Sequence, residues 1–139
     1  MDPVLNVRDV CLSYHTLSGE TPALSHISFD LMPGEFLAVV GPSGCGKSTL
    51  LNLIAGLLTP ESGYITLNGR PVVSGDSAVG YMLQKDHLLE WRTIYRNVLL
   101  GLEIRHQLTP ENLEKAEKML SAYGLDHFRD ARPSQLSGG

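Results

Sequence analysis

Gly41-Pro42-Ser43-Gly44-Cys45-Gly46-Lys47-Ser48 is the stretch on which the reading of the fold turns. It fits the pattern of a glycine, four free positions, Gly-Lys and a hydroxyl residue. A polyphosphate is a dense anion with many acceptor oxygens. Glycines let a backbone curl until successive N–H groups point inward at such oxygens. A helix starting directly after the loop adds partial positive charge at the same place. Lys47 adds a full charge for the outer phosphates, and the Ser48 hydroxyl suits Mg²⁺ that bridges phosphate oxygens. A dinucleotide fingerprint is not present, because Thr49 stands where a third glycine or alanine belongs.

The flanks agree with the loop. Phe36-Leu37-Ala38-Val39-Val40 is a continuous apolar run that predicts a strand buried on both faces and leading into it. Leu50, Leu51, Leu53, Ile54, Leu57 and Leu58 predict a helix leading out, with Pro60 and Gly63 as its stop. Upstream, Val4, Val7, Val10, Leu12 and Tyr14 alternate in part and predict one or two strands. Residues 16–22 read as a loop, and Ile27, Phe29 and Leu31 as a strand with one wetter face, closed by Pro33-Gly34.

Downstream, Tyr64, Ile65 and Leu67 read as a strand turning at Asn68-Gly69. Val79, Tyr81 and Leu83 read as another, ending at Gln84. Ile94 to Ile104 predicts a helix despite Gly101. Thr109-Pro110-Glu111 marks a helix start, with Leu113, Ala116, Leu120 and Tyr123 as its buried stripe and Gly124 as its end.

Composition sets limits around these elements. Of 139 residues, 42% are hydrophobic and 19% charged, which suits a chain with a packed core. Eleven basic against 15 acidic residues give a net charge of −4, with no basic run, so nucleic acid is a poor guess for the main ligand and is not expected as a partner. No apolar stretch reaches the roughly 18 residues of a membrane-spanning helix, and Met1-Asp2-Pro3 does not open a secretory signal, so a soluble, cytoplasmic chain is expected. Cys11 and Cys45 lie too far apart for a metal motif and read as reduced thiols. His15, His26, His87, His106 and His127 read as surface or satisfied residues.

Three stretches narrow the loop to one family. Pro42 to Leu50 resembles the Walker A wording of ABC transporter ATP-binding proteins. Leu136-Ser137-Gly138-Gly139 resembles the start of their signature motif, and Gln84 stands where their Q-loop glutamine would be. The resemblance runs over essentially the whole chain. It implies an α/β fold: a P-loop NTPase core with an antiparallel β subdomain over about residues 1–84, and a partial α-helical subdomain over about 85–139. The chain would then be the N-terminal part of one ATP-binding domain.

The resemblance also implies roles. Tyr14 would stack on adenine, or else be a strand-edge core tyrosine. Gly41, Pro42, Ser43, Gly44, Cys45, Gly46, Lys47, Ser48 and Thr49 would hold the phosphates of ATP. Ser48 and Gln84 would serve Mg²⁺, with Lys47 and Gln84 as the catalytic pair. Ser137, Gly138 and Gly139 would cover the γ-phosphate held by a second ATP-binding subunit, closing head to tail. A transmembrane permease and a solute-binding protein are the other implied partners, with the chain peripheral on the inner face of the membrane.

Leu88-Leu89-Glu90-Trp91-Arg92-Thr93 resembles the importer subgroup for nitrate, taurine and sulfonates, which usually carries proline where Glu90 stands. Trp91 would face the membrane subunit or pack in a core. The sequence holds no run of four apolar residues followed by Asp-Glu, the family's Walker B strand, and no switch histidine in the right order. Nucleotide binding without complete hydrolysis is therefore expected of these residues alone. Two other readings remain open at this stage: a soluble ABC ATPase outside transport, and a short ATP-binding protein that does not hydrolyse.

Overall fold

The computed structural model describes residues 2–17, 19–73, 79–83, 85 and 87–136. They fall into two compact units, Met1–Tyr81 and Met82–Gly139. The first unit is built on a four-stranded sheet in the order β2-β1-β3-β4, formed by β1 (Leu5–Thr16), β2 (Gly19–Leu31), β3 (Ser62–Leu67) and β4 (Arg70–Pro71). Every pairing is antiparallel. Among the described residues one helix belongs to this unit, α1 (Lys47–Ile54).

The partial alternation in β1 has a structural cause. The register shifts between Val7 and Val10, where Asp9 adopts a positive φ of 50°. One extra residue in a strand reverses which face the following side chains take. Leu5 and Val7 before the shift, and Val10 and Leu12 after it, are thereby all buried. On β2, His26 has a φ of 51° and its Nδ1 lies 2.7 Å from Asp9 Oδ1. Leu24, Leu50, Leu53 and Ile65 complete the core. Asn68 and Gly69, both at positive φ, form the tight turn between β3 and β4 that their dipeptide predicts.

Several expectations need correction. Thr16 and residues 19–22 are not in a loop: β1 runs to Thr16 and β2 starts at Gly19, and the two residues face each other in the ladder. The helix after the phosphate loop stops at Ile54, four residues early. Gly56 takes a φ of 71°, and the N–H groups of Leu57 and Leu58 both donate to the Asn52 carbonyl. Phe36–Val40 forms no strand and pairs with none among the described residues, and Phe36 is 95% exposed. A continuous apolar run predicts burial, but a ladder exists only where a neighbouring strand supplies its hydrogen bonds. Val79, Tyr81 and Leu83 likewise form no strand. The Tyr81 hydroxyl donates instead to Asn52 Oδ1 at 2.8 Å.

The second unit is helical, with α2 (Ile94–Val98), α3 (Leu100–Ile104) and α4 (Pro110–Ala122). The helix expected over 94–104 is thus two short helices meeting at Leu99, which is buried. Thr93 and Thr109 cap α2 and α4, accepting from the N–H groups of Arg96 and Asn112. Glu111–Lys115 and Glu114–Lys118 pair one turn apart. Ala116 and Leu120 are buried, whereas Tyr123 is 75% exposed, because α4 ends before it and Gly124 turns the chain at a φ of 68°.

Candidate nucleotide site

The loop Gly41–Gly46 leads into α1, which begins at Lys47. Gly44 and Gly46 take φ values of 80° and 96°, the left-handed conformations the sequence pattern requires. Gly46 also has no room for a side chain: a Cβ there would run into the Ala23 carbonyl oxygen of β2. The loop is thereby seated against the sheet. Among the described residues no side chain caps α1, which suits a helix start that faces an anion.

Lys47 curls back over the loop. Its Nζ donates to the Gly41 carbonyl at 2.7 Å, to the Pro42 carbonyl at 2.6 Å and to Cys45 Sγ at 3.4 Å. The Cys45 N–H donates to the Pro42 carbonyl at 3.4 Å. Ser43, Cys45 and Ser48 are exposed. This donor set fits a polyphosphate with a divalent cation: an ammonium over the loop, a helix N-terminus with no side-chain cap and an accessible hydroxyl.

Thr49 is buried and its Oγ1 lies 3.0 Å from the Tyr14 hydroxyl. The structure thus brings together Tyr14 and Thr49, which lie 35 positions apart in the sequence. The Tyr14 ring is 45% exposed, so it is not a core side chain. Gln84, Ser137, Gly138 and Gly139 lie outside the described residues.

Glu61 is a residue that sequence reasoning passed over. Its carboxylate accepts from the Ser13 N–H at 3.0 Å and from His15 Nε2 at 2.9 Å, on either side of Tyr14. Between Pro60 and Gly63 it reads as punctuation, and no local pattern ties it to β1. All five histidines are exposed, and both cysteines are free. In the second unit Trp91 is 73% exposed rather than part of a core. Asn97 secures the turn that carries it, accepting from the Leu89 N–H and donating to the Leu89, Arg92 and Thr93 carbonyls. Among the described residues no helix is long and apolar enough to cross a membrane.

A family model described as ABC transporter matches residues 24–139. The chain belongs to the ABC transporter family. Members similar to it include the uncharacterized ABC transporter ATP-binding protein YtlC of Bacillus subtilis, 42% identical over 135 residues, covering 97% of this chain and 52% of the relative. The taurine import ATP-binding protein TauB of Pseudomonas putida is 45% identical over 120 residues, covering 86% of this chain and 46% of the relative. Among solved structures, the ATP-binding cassette MJ0796, a dimer in a post-hydrolysis state with ADP and Pi, superposes with a TM-score of 0.82 at 28% identity. That match covers 96% of this chain and 63% of MJ0796. The chain spans about half the length of the curated relatives it matches. Membership bears out the resemblance in the motifs, and the ABC cassettes among solved structures bear out the α/β P-loop fold class.

Proposed function

We propose that the chain forms the nucleotide-holding part of the ATP-binding subunit of an ABC importer. The observation that carries this reading is the loop Gly41–Ser48, with Lys47 folded across it and Tyr14 bonded to Thr49 in the first turn of α1. In this reading the loop N–H groups and Lys47 hold the phosphates, and Tyr14 presents a flat apolar face to adenine. Mg²⁺, where bound, neutralises and bridges phosphate oxygens, and Ser48 is the hydroxyl this chain offers it. Gln84 senses the cation, and Ser137, Gly138 and Gly139 reach the nucleotide of a second subunit. Residues 1–84 act as β subdomain and phosphate-loop core, and 85–139 as the partial helical subdomain.

In the whole protein, ATP binding and hydrolysis drive a solute through a separate permease on the inner face of the membrane, fed by a solute-binding protein. The exposed Trp91 turns toward that permease. TauB relatives at 45% and 42% identity support a substrate of the nitrate, sulfonate or taurine type.

The test is titration calorimetry of the chain with ATP and Mg²⁺. Lys47→Ala removes charge-assisted bonds worth about 1.5–3 kcal/mol, which is roughly a 10- to 150-fold loss of affinity. Equal affinities for variant and parent would overturn the reading. ATP turnover by residues 1–139 above the Lys47→Ala background would overturn the assignment of binding without hydrolysis to them.

A further inference from the structure

The structure assigns to Glu61 a role of its own: its carboxylate positions Tyr14 as the platform for the nucleotide base. The assignment rests on the proposed adenine-stacking role of Tyr14 and goes beyond it. Tyr14 lies near the end of β1, where that strand has lost a neighbour. Pairing of β3 to β1 stops at Cys11 opposite Ser62, and the Glu61 N–H donates to the Cys11 carbonyl at 3.0 Å. Past that point the β3 side of β1 has no ladder among the described residues, so Ser13 presents its N–H to no described strand on that side. A strand end held from one side only frays readily.

Glu61 replaces the missing strand with one side chain. Oε2 accepts from the Ser13 N–H at 3.0 Å, and Oε1 accepts from His15 Nε2 at 2.9 Å. The two residues it grips are the immediate neighbours of Tyr14 in sequence. Because side chains alternate along a strand, Ser13 and His15 share one face and Tyr14 takes the other. Fixing both neighbours therefore fixes the direction in which the Tyr14 ring leaves the sheet. The hydroxyl end of that ring is held separately, by Thr49 at 3.0 Å. Base and phosphates thus meet surfaces tied to each other through Thr49 and tied to the sheet through Glu61.

A positioning role differs from a merely structural one in what it leaves untouched. Inorganic tripolyphosphate engages the phosphate loop but has no base. Affinities for ATP and for tripolyphosphate, each with Mg²⁺, are to be measured on the parent chain and on Glu61→Ala, Glu61→Gln and Tyr14→Ala. Stacking of a base on an aromatic ring corresponds to roughly a 5- to 150-fold affinity effect, so Tyr14→Ala is expected to lose that much for ATP alone. Glu61→Ala is expected to lose about 3- to 10-fold for ATP, a fraction of that stacking effect, and to bind tripolyphosphate as the parent does. Glu61→Gln keeps an acceptor for Ser13 and an amide for His15, and is expected to stay within about two-fold of the parent, the neutral amide retaining most of a net bond.

Equal losses for ATP and tripolyphosphate in Glu61→Ala would overturn the positioning role in favour of general support of the fold. A Glu61→Ala chain that binds ATP like the parent, while Tyr14→Ala binds weakly, would overturn it and leave the Tyr14 reading standing. A Glu61→Gln loss equal to that of alanine would overturn the acceptor argument. Tyr14→Ala with unchanged ATP affinity would overturn the Tyr14 reading, and the role of Glu61 with it.

Discussion

Gly46 meets two constraints at once, and either alone would restrict it. Its φ of 96° is one that residues with a Cβ rarely adopt, and the space a Cβ would need is held by the Ala23 carbonyl. Gly46→Ala therefore has to move the loop off β2 or twist the start of α1. We expect a fall in stability of about 2–4 kcal/mol, combining backbone strain with a forced shift in a packed site. Thermal unfolding of variant and parent checks it, and a change below about 0.5 kcal/mol, the ordinary range of surface substitutions, would contradict the seating described. Much of the candidate site was legible at this scale. Each fixed residue of Gly41–Ser48 answers a local demand, so its spacing could be read without the fold. Glu61 could not be read that way, since its partners Ser13 and His15 stand 48 and 46 positions away. The bond from Tyr14 to Thr49 was hidden for the same reason: it depends on how β1 lies against α1.

Among the elements, those with local instructions were readable and those dependent on neighbours were not. α4 carries its own cap, its Pro110 start and its i,i+4 pairs, and it forms where expected. The β3–β4 turn follows from Asn68-Gly69 alone. Phe36–Val40 and Val79–Leu83 carry strand-like patterns, yet a strand also needs a partner, which pattern does not provide. The bulge at Asp9 explains why β1 read as one strand or two. In the helical unit, Arg92 ties α3 to the Trp91 turn, its Nη2 donating to both Glu103 carboxylate oxygens at 2.6 and 2.7 Å. Those hydrogen bonds, together with the Arg92 charge, hold the Glu103 carboxyl below the usual carboxylate range. A carboxyl lowered in the folded state contributes stability above its unfolded value and loses it as pH falls through the folded one. Glu103→Gln is therefore expected to melt below the parent at pH 7, with the gap closing under acid. A gap that stays constant from pH 7 down to about pH 2, below the carboxylate range, would show that the pair contributes nothing through its charge.

On the scale of the whole chain, Tyr14 and the loop Gly41–Thr49 lie in the unit Met1–Tyr81, and the exposed Trp91 lies in the other. The first unit also carries Phe36 and Val40 at 95% and 87% exposure, on a segment that no described strand pairs. Exposed apolar backbone of this kind is a template for association. The 139-residue chain is expected to enhance the fluorescence of a hydrophobic dye and to grow in sedimentation coefficient with concentration, both effects falling in Phe36→Ser/Val40→Ser. A monomeric parent with no dye response would contradict this.

Lys47 has a further consequence. Its ammonium already rests on two carbonyl oxygens and a sulfur, so the loop greets every visitor with its charge partly neutralised from within. A carbonyl brings only a partial charge, whereas a phosphate oxygen brings a share of a formal one, and charge-assisted bonds are about twice as strong as neutral ones. The exchange favours a polyanion and disfavours an uncharged nucleoside, however well its ring would stack. In the proposed site the lysine and its own backbone would together act as a filter for charge density, admitting sugar and base when phosphates arrive with them.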